Sequence, residues 1–307
     1  MRKLKKKENI LVMEQYNPAE LYIQTLDSPV SVKNVTYALN HISLMLSGKQ
    51  CLHSFDWTTL TYQKITLLKS QYIKKGLSPN SINTYLALIK GVCREAWKTD
   101  MITTDSYMLI KEIKRVKSVK LCSGRSLHHE EIREIVTYFQ KLKSPIGYRN
   151  AAIFALIYGA GLRVAELCNL TLSNYDGENL SIIGKGNKEA IIPIPSFIRT
   201  IFDKWLGVLN KNDGFIFVRI ARYGVIHQNN ISPKSVRYVC NLARDALSIS
   251  HFSPHDLRRS FATNLIETGV DLFTVQNLMR HTSMETTKRY DMRGEKTKRT
   301  AVELLPF

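Results

Sequence analysis

The sequence predicts a mainly α protein with a small antiparallel β-sheet, organised as two domains. Three observations carry that expectation. The chain has 307 residues, more than one small hydrophobic core organises. Apolar residues recur at helical spacing, with capping signals, through the first 110 residues. Two short β-branched runs then flank the glycine-rich loop Gly184-Lys185-Gly186-Asn187-Lys188. Hydrophobic residues at 44% against 23% charged mark a folded chain rather than a disordered one.

In order, Lys3–Lys7 lies in a basic tail, residues 1–15. Asn17-Pro18 opens the first helix, with Asn as cap and Pro at the first helical position. Val32–Leu46 and Leu60–Lys74 are the next helices, and Gly76 stops the latter. Ser78-Pro79 starts a helix whose stripe runs Ile82, Tyr85, Leu86, Ile89, Val92, Cys93, Ala96, Trp97, an amphipathic pattern. Its aromatic positions read as core. A helical domain is therefore expected over 16–110 and a basic linker over 111–125. Ser126, with Glu130 and Glu131 behind it, reads as the cap that opens a second domain, 126–307. There Arg149–Tyr158 reads as a buried helix broken at Gly159-Ala160-Gly161, and Leu162–Leu170 as its restart. Leu180–Ile183 and Ala190–Ile194 read as a hairpin with a basic loop, and Phe215–Val218 as one further strand.

Charge narrows the function. Lys and Arg total 44 against 26 Asp and Glu, a formal +18, which favours a polyanionic partner. Residues 1–120 carry 19 basic against 9 acidic side chains and the remainder 25 against 17, so both parts face phosphate by composition. No run approaches the ~18–20 apolar residues of a membrane span. The N-terminus lacks the apolar stretch of a secretory signal. Five cysteines without C-x-x-C spacing argue against a disulfide framework or a cysteine zinc site and fit a reducing, cytoplasmic compartment.

Four separated pieces carry chemistry: Gly161-Leu162-Arg163-Val164-Ala165-Glu166-Leu167; Gly184-Lys185-Gly186-Asn187-Lys188; His255-Asp256-Leu257-Arg258-Arg259; and Leu278-Met279-Arg280-His281, followed nine residues later by Tyr290. Taken singly, each has a plain reading. Arg163 with Glu166 is an i,i+3 ion pair, Lys185 and Lys188 are turn lysines, and His255 and His281 are ordinary helix or core histidines. A metal site at the two histidines lacks a third ligand at sensible spacing.

Together, in this order, they resemble the tyrosine recombinase (phage integrase) family from about Arg125 to Tyr290. The resemblance extends more weakly into the helical N-terminal part. It implies a two-lobe DNA clamp, a helical core-binding domain plus a catalytic domain, acting as a site-specific recombinase. Arg163, Lys185, His255, Arg258 and His281 then match the family's catalytic set, Tyr290 its nucleophile and Glu166 a supporting acid. Cleavage passes through a 3′-phosphotyrosine, with Lys185 as general acid for the leaving 5′ oxygen, and needs no metal or nucleotide cofactor. The implied partners are double-stranded DNA sites and a homotetramer on two of them, with a paralogous recombinase as one variant, at the bacterial nucleoid. Integration or excision of a mobile element and resolution of DNA multimers are the implied roles, and the YDMRGE segment looks more like mobile-element integrases. With no arm-binding domain before about Tyr16, the chain resembles simple recombinases. The family's tails suggest that Ala301–Phe307 docks on a neighbouring protomer.

The chemistry suits the residues. Guanidinium is planar, permanently charged and grips two phosphate oxygens, so Arg163 and Arg258 would do what metal ions do in other phosphoryl-transfer enzymes. A phenol of pKa about 10 needs cations nearby to become a nucleophile. Lys111, Lys114, Arg115, Lys117, Lys120, Lys188, Arg259 and Arg280 are candidate DNA contacts. Two positions depart from the family pattern: Arg259 where His is common, and Arg280 where Gly usually precedes the His. A topoisomerase IB-like nicking and closing enzyme and a DNA-binding relative without catalysis are the alternatives.

Overall fold

Two separately packed units, 1–121 and 122–307, make up the computed structural model, which describes residues 16–49, 51–117, 124–183, 189–281, 283–288, 290–291 and 302–303. In the first unit, α1 (Pro18–Gln24), α2 (Pro29–Ser47), α3 (Tyr62–Lys74), α4 (Pro79–Lys98) and α5 (Thr104–Lys111) surround one apolar core. Local chemistry sets the helix starts. The Asn17 side chain accepts from the Ala19 N–H at 2.9 Å and donates to the Leu52 and His53 carbonyls, each at 3.0 Å. Ser78 caps α4 at the Ser81 N–H, 3.1 Å away. Leu39, Ile42, Trp57, Ile65, Leu68, Ile89 and Val92 fill the core. Burying a large apolar side chain contributes about 1.5–3 kcal/mol, so this periodicity, more than propensity, holds the helices together.

Two expectations are corrected here. Trp97 is not core: it is 36% exposed, stacks on Tyr107 at 5.0 Å and donates to Thr104 Oγ1 at 3.1 Å. Tyr85 is half-buried and packs at 5.1 Å on Tyr72. The start of the basic stretch after α5 is docked rather than free. Ile113 is buried, Asn83 exchanges two hydrogen bonds with the Val116 backbone (2.8 and 3.0 Å), and Lys90 Nζ donates to the Lys111 and Ile113 carbonyls at 2.8 Å each. A buried amide that pairs with a backbone N–H and C=O is a tertiary tie that composition does not reveal.

In the second unit the chain leads through α6 (His129–Lys141), α7 (Pro145–Gly159) and α8 (Val164–Asn169) into β1 (Asn179–Ile183) and β2 (Glu189–Pro193). It continues through α9 (Ser196–Leu209), β3 (Val218–Ile220), β4 (Ile226–Asn230), α10 (Pro233–Leu247), α11 (Pro254–Glu267), α12 (Leu272–Met279) and α13 (Met284–Lys288). The cap of α6 is His128, not Ser126. Glu131 accepts from the His128 N–H at 2.9 Å and takes Arg125 on both oxygens, while the Leu127 N–H bonds Ser260 Oγ at 2.7 Å. Those bonds hold 125–128 extended and delay the helix by two residues.

Strands β1 and β2 pair antiparallel with Leu180 opposite Ile192. The further strand falls three residues later than expected, at Val218–Ile220, paired antiparallel with β4 in a second small sheet. Ile216 and Phe217 instead bond outward to two loops: the Ile216 N–H to the Leu170 carbonyl and the Phe217 carbonyl from the Ile231 N–H, both at 2.9 Å. The core stacks Phe139 on Phe154 at 5.5 Å, with Phe202, Trp205, Phe217 and Phe252. A smaller cluster of Ala262, Ile266, Val275, Met279 and Tyr290 joins α11, α12 and the segment after α13. The tail elements Lys3–Lys7 and most of Ala301–Phe307 lie outside the described residues.

Candidate active site

The turn between α7 and α8 is where the site begins. Gly161 sits at φ +56, and a Cβ there would meet the Phe261 ring at 2.6 Å, so only glycine brings this backbone so close to α11. Its carbonyl accepts from Arg258 and, at 3.0 Å, from Arg280 Nη2. Two residues on, Arg163 precedes α8. Glu166, in the first turn of α8, accepts from the Arg163 N–H at 2.8 Å and from its Nη1 at 2.6 Å. An acid there also suits the positive end of the helix dipole.

Arg258 projects from α11 and is 3% exposed. It donates to the carbonyls of Gly161 and Met279 and lies 3.9 Å from Glu166. Arg163 Nη2 donates to the next carbonyl, that of Arg280, at 2.9 Å. Consecutive carbonyls at the end of α12 thus orient both guanidiniums. Each guanidinium has five N–H donors, so these bonds leave each with donors for a phosphate. Burial first, then Arg163 and Arg280, pull the Arg258 pKa down to about 9, against Glu166 and Tyr290; the group stays cationic at neutral pH.

Arg280 takes the left-handed backbone at φ +52, which costs a non-glycine residue roughly 1–2 kcal/mol. This candidate DNA contact is turned inward: its side chain is 8% exposed and donates to the Leu278 carbonyl at 2.7 Å and to Glu166 at 2.8 Å. Its Nε is buried with no partner among the described residues. Burial raises the Glu166 carboxyl, but Arg280 and the bonds from Arg163 outweigh it and hold the pKa below the usual carboxylate range.

His281 follows this turn. Its Nδ1 lies 3.0 Å from Thr287 Oγ1, and its ring stacks on Tyr290 at 5.9 Å. Tyr290 is 5% exposed, and the Arg259 guanidinium stands 5.7 Å over its ring. Arg259 also donates to the Gly124 carbonyl at 3.3 Å. His255, one turn before Arg259 on α11, is exposed as a residue, yet burial of its ring, then Arg259, lowers its pKa against Asp256.

Burial first, then Arg258, Arg163, Arg280 and His255, lower the His281 pKa from 6.5 to about 4. The expected result of an NMR titration is a His281 ring that stays neutral from neutral pH down to about 5. The linkage has a definite sign. The unfolded chain takes up this proton near pH 6.5 and the folded chain only near 4, so the stability this group supplies is whole above 6.5 and is lost as pH falls through that window. A folded-state pKa at or above 6.5 would contradict this environment.

The structure thus brings Arg163, Glu166, Arg258, Arg280, His281 and Tyr290 into one network, with His255 and Arg259 beside it. Lys185 and Lys188 lie outside the described residues, as does Lys120. Lys111, Lys114, Arg115 and Lys117 are exposed on the first unit. Sequence reasoning missed Thr287, fully buried against His281, and Gln276, whose Nε2 donates to the His281 carbonyl at 3.1 Å. Nothing in the local sequence marks either one. Among the described residues no group of three or more His, Cys, Asp or Glu side chains forms a metal site.

Residues 125–295, more than half of the chain, match the model of the phage integrase family. The chain belongs to the phage integrase family. Tyrosine recombinase XerA of Thermococcus onnurineus (strain NA1) is 38% identical over 220 residues, 71% of this chain and 72% of that protein. Tyrosine recombinase XerC of Histophilus somni (strain 2336) is 29% identical over 289 residues, 92% of each. A lambda integrase tetramer bound to a Holliday junction shares the fold, with a TM-score of 0.68 at 18% identity over 89% of this chain and 74% of that one. The protein is a tyrosine-type site-specific recombinase, an enzyme that cuts and rejoins DNA. No described helix of the recombinase is long and apolar enough to cross a membrane.

Proposed function

We propose that the recombinase breaks duplex DNA by attack of the Tyr290 phenol oxygen on a backbone phosphorus. A phosphorus–oxygen bond to Tyr290 forms, the bond to the 5′ oxygen breaks, and the phenol proton passes to solvent water. Lys185 gives the departing oxygen a proton, and a Lys suits this because its pKa falls readily among cations. Arg163 and Arg258 bind the non-bridging oxygens and stabilise the charge that builds up there. In the tautomer whose Nδ1 accepts from the Thr287 hydroxyl, neutral His281 carries its hydrogen on Nε2, a donor for the same phosphate. His255 lies at the edge of that anion site. The phosphotyrosine keeps the energy of the broken bond, so a 5′ hydroxyl reverses the step and reseals the strand without a metal or nucleotide.

The observation that carries this reading is the convergence of Arg163, Arg258 and His281 with the buried Tyr290 on one end of α12. Residues 16–110 supply a second DNA-binding domain. Exposed Lys111, Lys114, Arg115 and Lys117, with Lys120, Lys188 and Arg259, meet the backbone. The functional assembly is a tetramer of this chain on two recombination sites, acting on DNA in the cytoplasm to move an element or resolve a multimer. A duplex nicked close to the cut site tests the reading. The short strand diffuses away after cleavage, so wild-type protein should accumulate a detergent-stable adduct at a 3′ phosphate. A cognate duplex that is bound with no such adduct would overturn it.

A further inference from the structure

Arg280 is kept where glycine would be free of backbone strain, and its side chain is spent inside the site. It holds the same Gly161 carbonyl that Arg258 uses and the same carboxylate that Arg163 uses. Glu166 has two oxygens to share among three guanidiniums. Oε1 goes to Arg163 at 2.6 Å, and Oε2 goes to Arg280 at 2.8 Å and to the Arg163 N–H at 2.8 Å. Arg258 is left 3.9 Å from Oε2, at the outer limit of an ion pair. Three cations and one anion give the cluster a formal +2, enough to meet a phosphodiester and still carry a surplus. Remove Arg280, and Oε2 has Arg258 as its remaining guanidinium neighbour. A carboxylate closing that short distance would take the buried guanidinium as its own counter-ion.

We propose that Arg280 is a positioning residue that occupies the Glu166 carboxylate and so keeps the Arg258 guanidinium available to the DNA phosphate. The inference rests on the proposed role of Arg258 and adds what guards it. Arg280 itself touches neither DNA nor the reacting atoms. Its charge and its forked shape both matter: one arm takes the carboxylate while the other takes a carbonyl, a geometry that lysine reproduces only in charge.

The test is single-turnover cleavage of the nicked duplex by full-length protein, with duplex binding and thermal melting measured alongside. Arg280→Gly relieves the left-handed strain, so it should melt no lower than a few degrees below wild type. It should bind duplex normally and cleave about 10- to 100-fold more slowly. Arg280→Lys should fall between the two. The decisive comparison is Glu166→Gln with Arg280→Gly in one chain. A neutral amide no longer captures Arg258, so the double variant should cleave about fivefold or more faster than Arg280→Gly alone, a coupling that independent structural damage does not produce. Wild-type cleavage by Arg280→Gly, or a double variant slower than Arg280→Gly, would overturn the proposal. Should Arg280→Gly not fold, wild-type cleavage by Arg280→Lys without the fork would overturn it, and slowed cleavage with normal binding would support it. Absence of any adduct from wild type would be a failure of the phosphotyrosine reading, and is read separately.

Discussion

Tyr290→Phe is expected to bind duplex DNA normally and to form no covalent adduct with it. The substitution removes one oxygen and keeps the ring that packs with Val275 and Met279 and stacks on His281. The buried cluster, and hence melting, should therefore hardly change. Chemistry should stop, because no neighbouring group can replace the nucleophile. Losses of about 10⁴-fold or more are usual when an enzyme's nucleophile is deleted. The measurement is detergent-stable adduct on the nicked duplex against duplex bound in a gel-shift. An adduct formed by the Phe variant at a rate near that of wild type would assign the nucleophile to another residue.

The second large effect belongs to Arg258. Arg258→Ala should slow single-turnover cleavage by about 10³-fold, the scale seen when an arginine that neutralises a transferring phosphoryl group is removed. Stability should also suffer. The Met279 carbonyl loses the Arg258 donor, while that of Gly161 keeps Arg280, and a buried unsatisfied group costs about 1–3 kcal/mol. The two effects separate cleanly. Extra stability from low temperature or from bound duplex restores folding but not cleavage. Arg258→Lys keeps a charge but cannot bridge two carbonyls and face a phosphate together, so it should recover the fold better than the rate. Cleavage by Arg258→Ala within a few-fold of wild type would remove this residue from the chemistry.

What could be read beforehand followed from how local each signal is. Asn17-Pro18 and Ser78-Pro79 announce helices because capping involves neighbours in the chain. The β1–β2 hairpin is legible for the same reason. The start of α6 was misplaced because Ser260, distant in sequence, ties down Leu127 and keeps the preceding residues extended. The docked stretch around Val116 escaped because a single amide, Asn83, creates it. At the site, Arg163, His255, Arg258, His281 and Tyr290 stand out through their order along the chain. Arg280 could be seen as a departure but not understood as one. A cationic side chain reads as surface until a buried carboxylate is found beside it, and Glu166 lies 114 residues away. Trp97 errs in the other direction: helical spacing places it on the apolar stripe, yet the buried stripe ends at Ala96, one residue before it.

The phenol of Tyr290 rests against His281 and Arg259 of its own chain. Among the described residues, the candidate nucleophile thus stands with side chains of its own chain. If the phenol of one subunit serves the arginines of that same subunit, a mixture of Tyr290→Phe and Arg258→Ala proteins should form no more adduct than either alone.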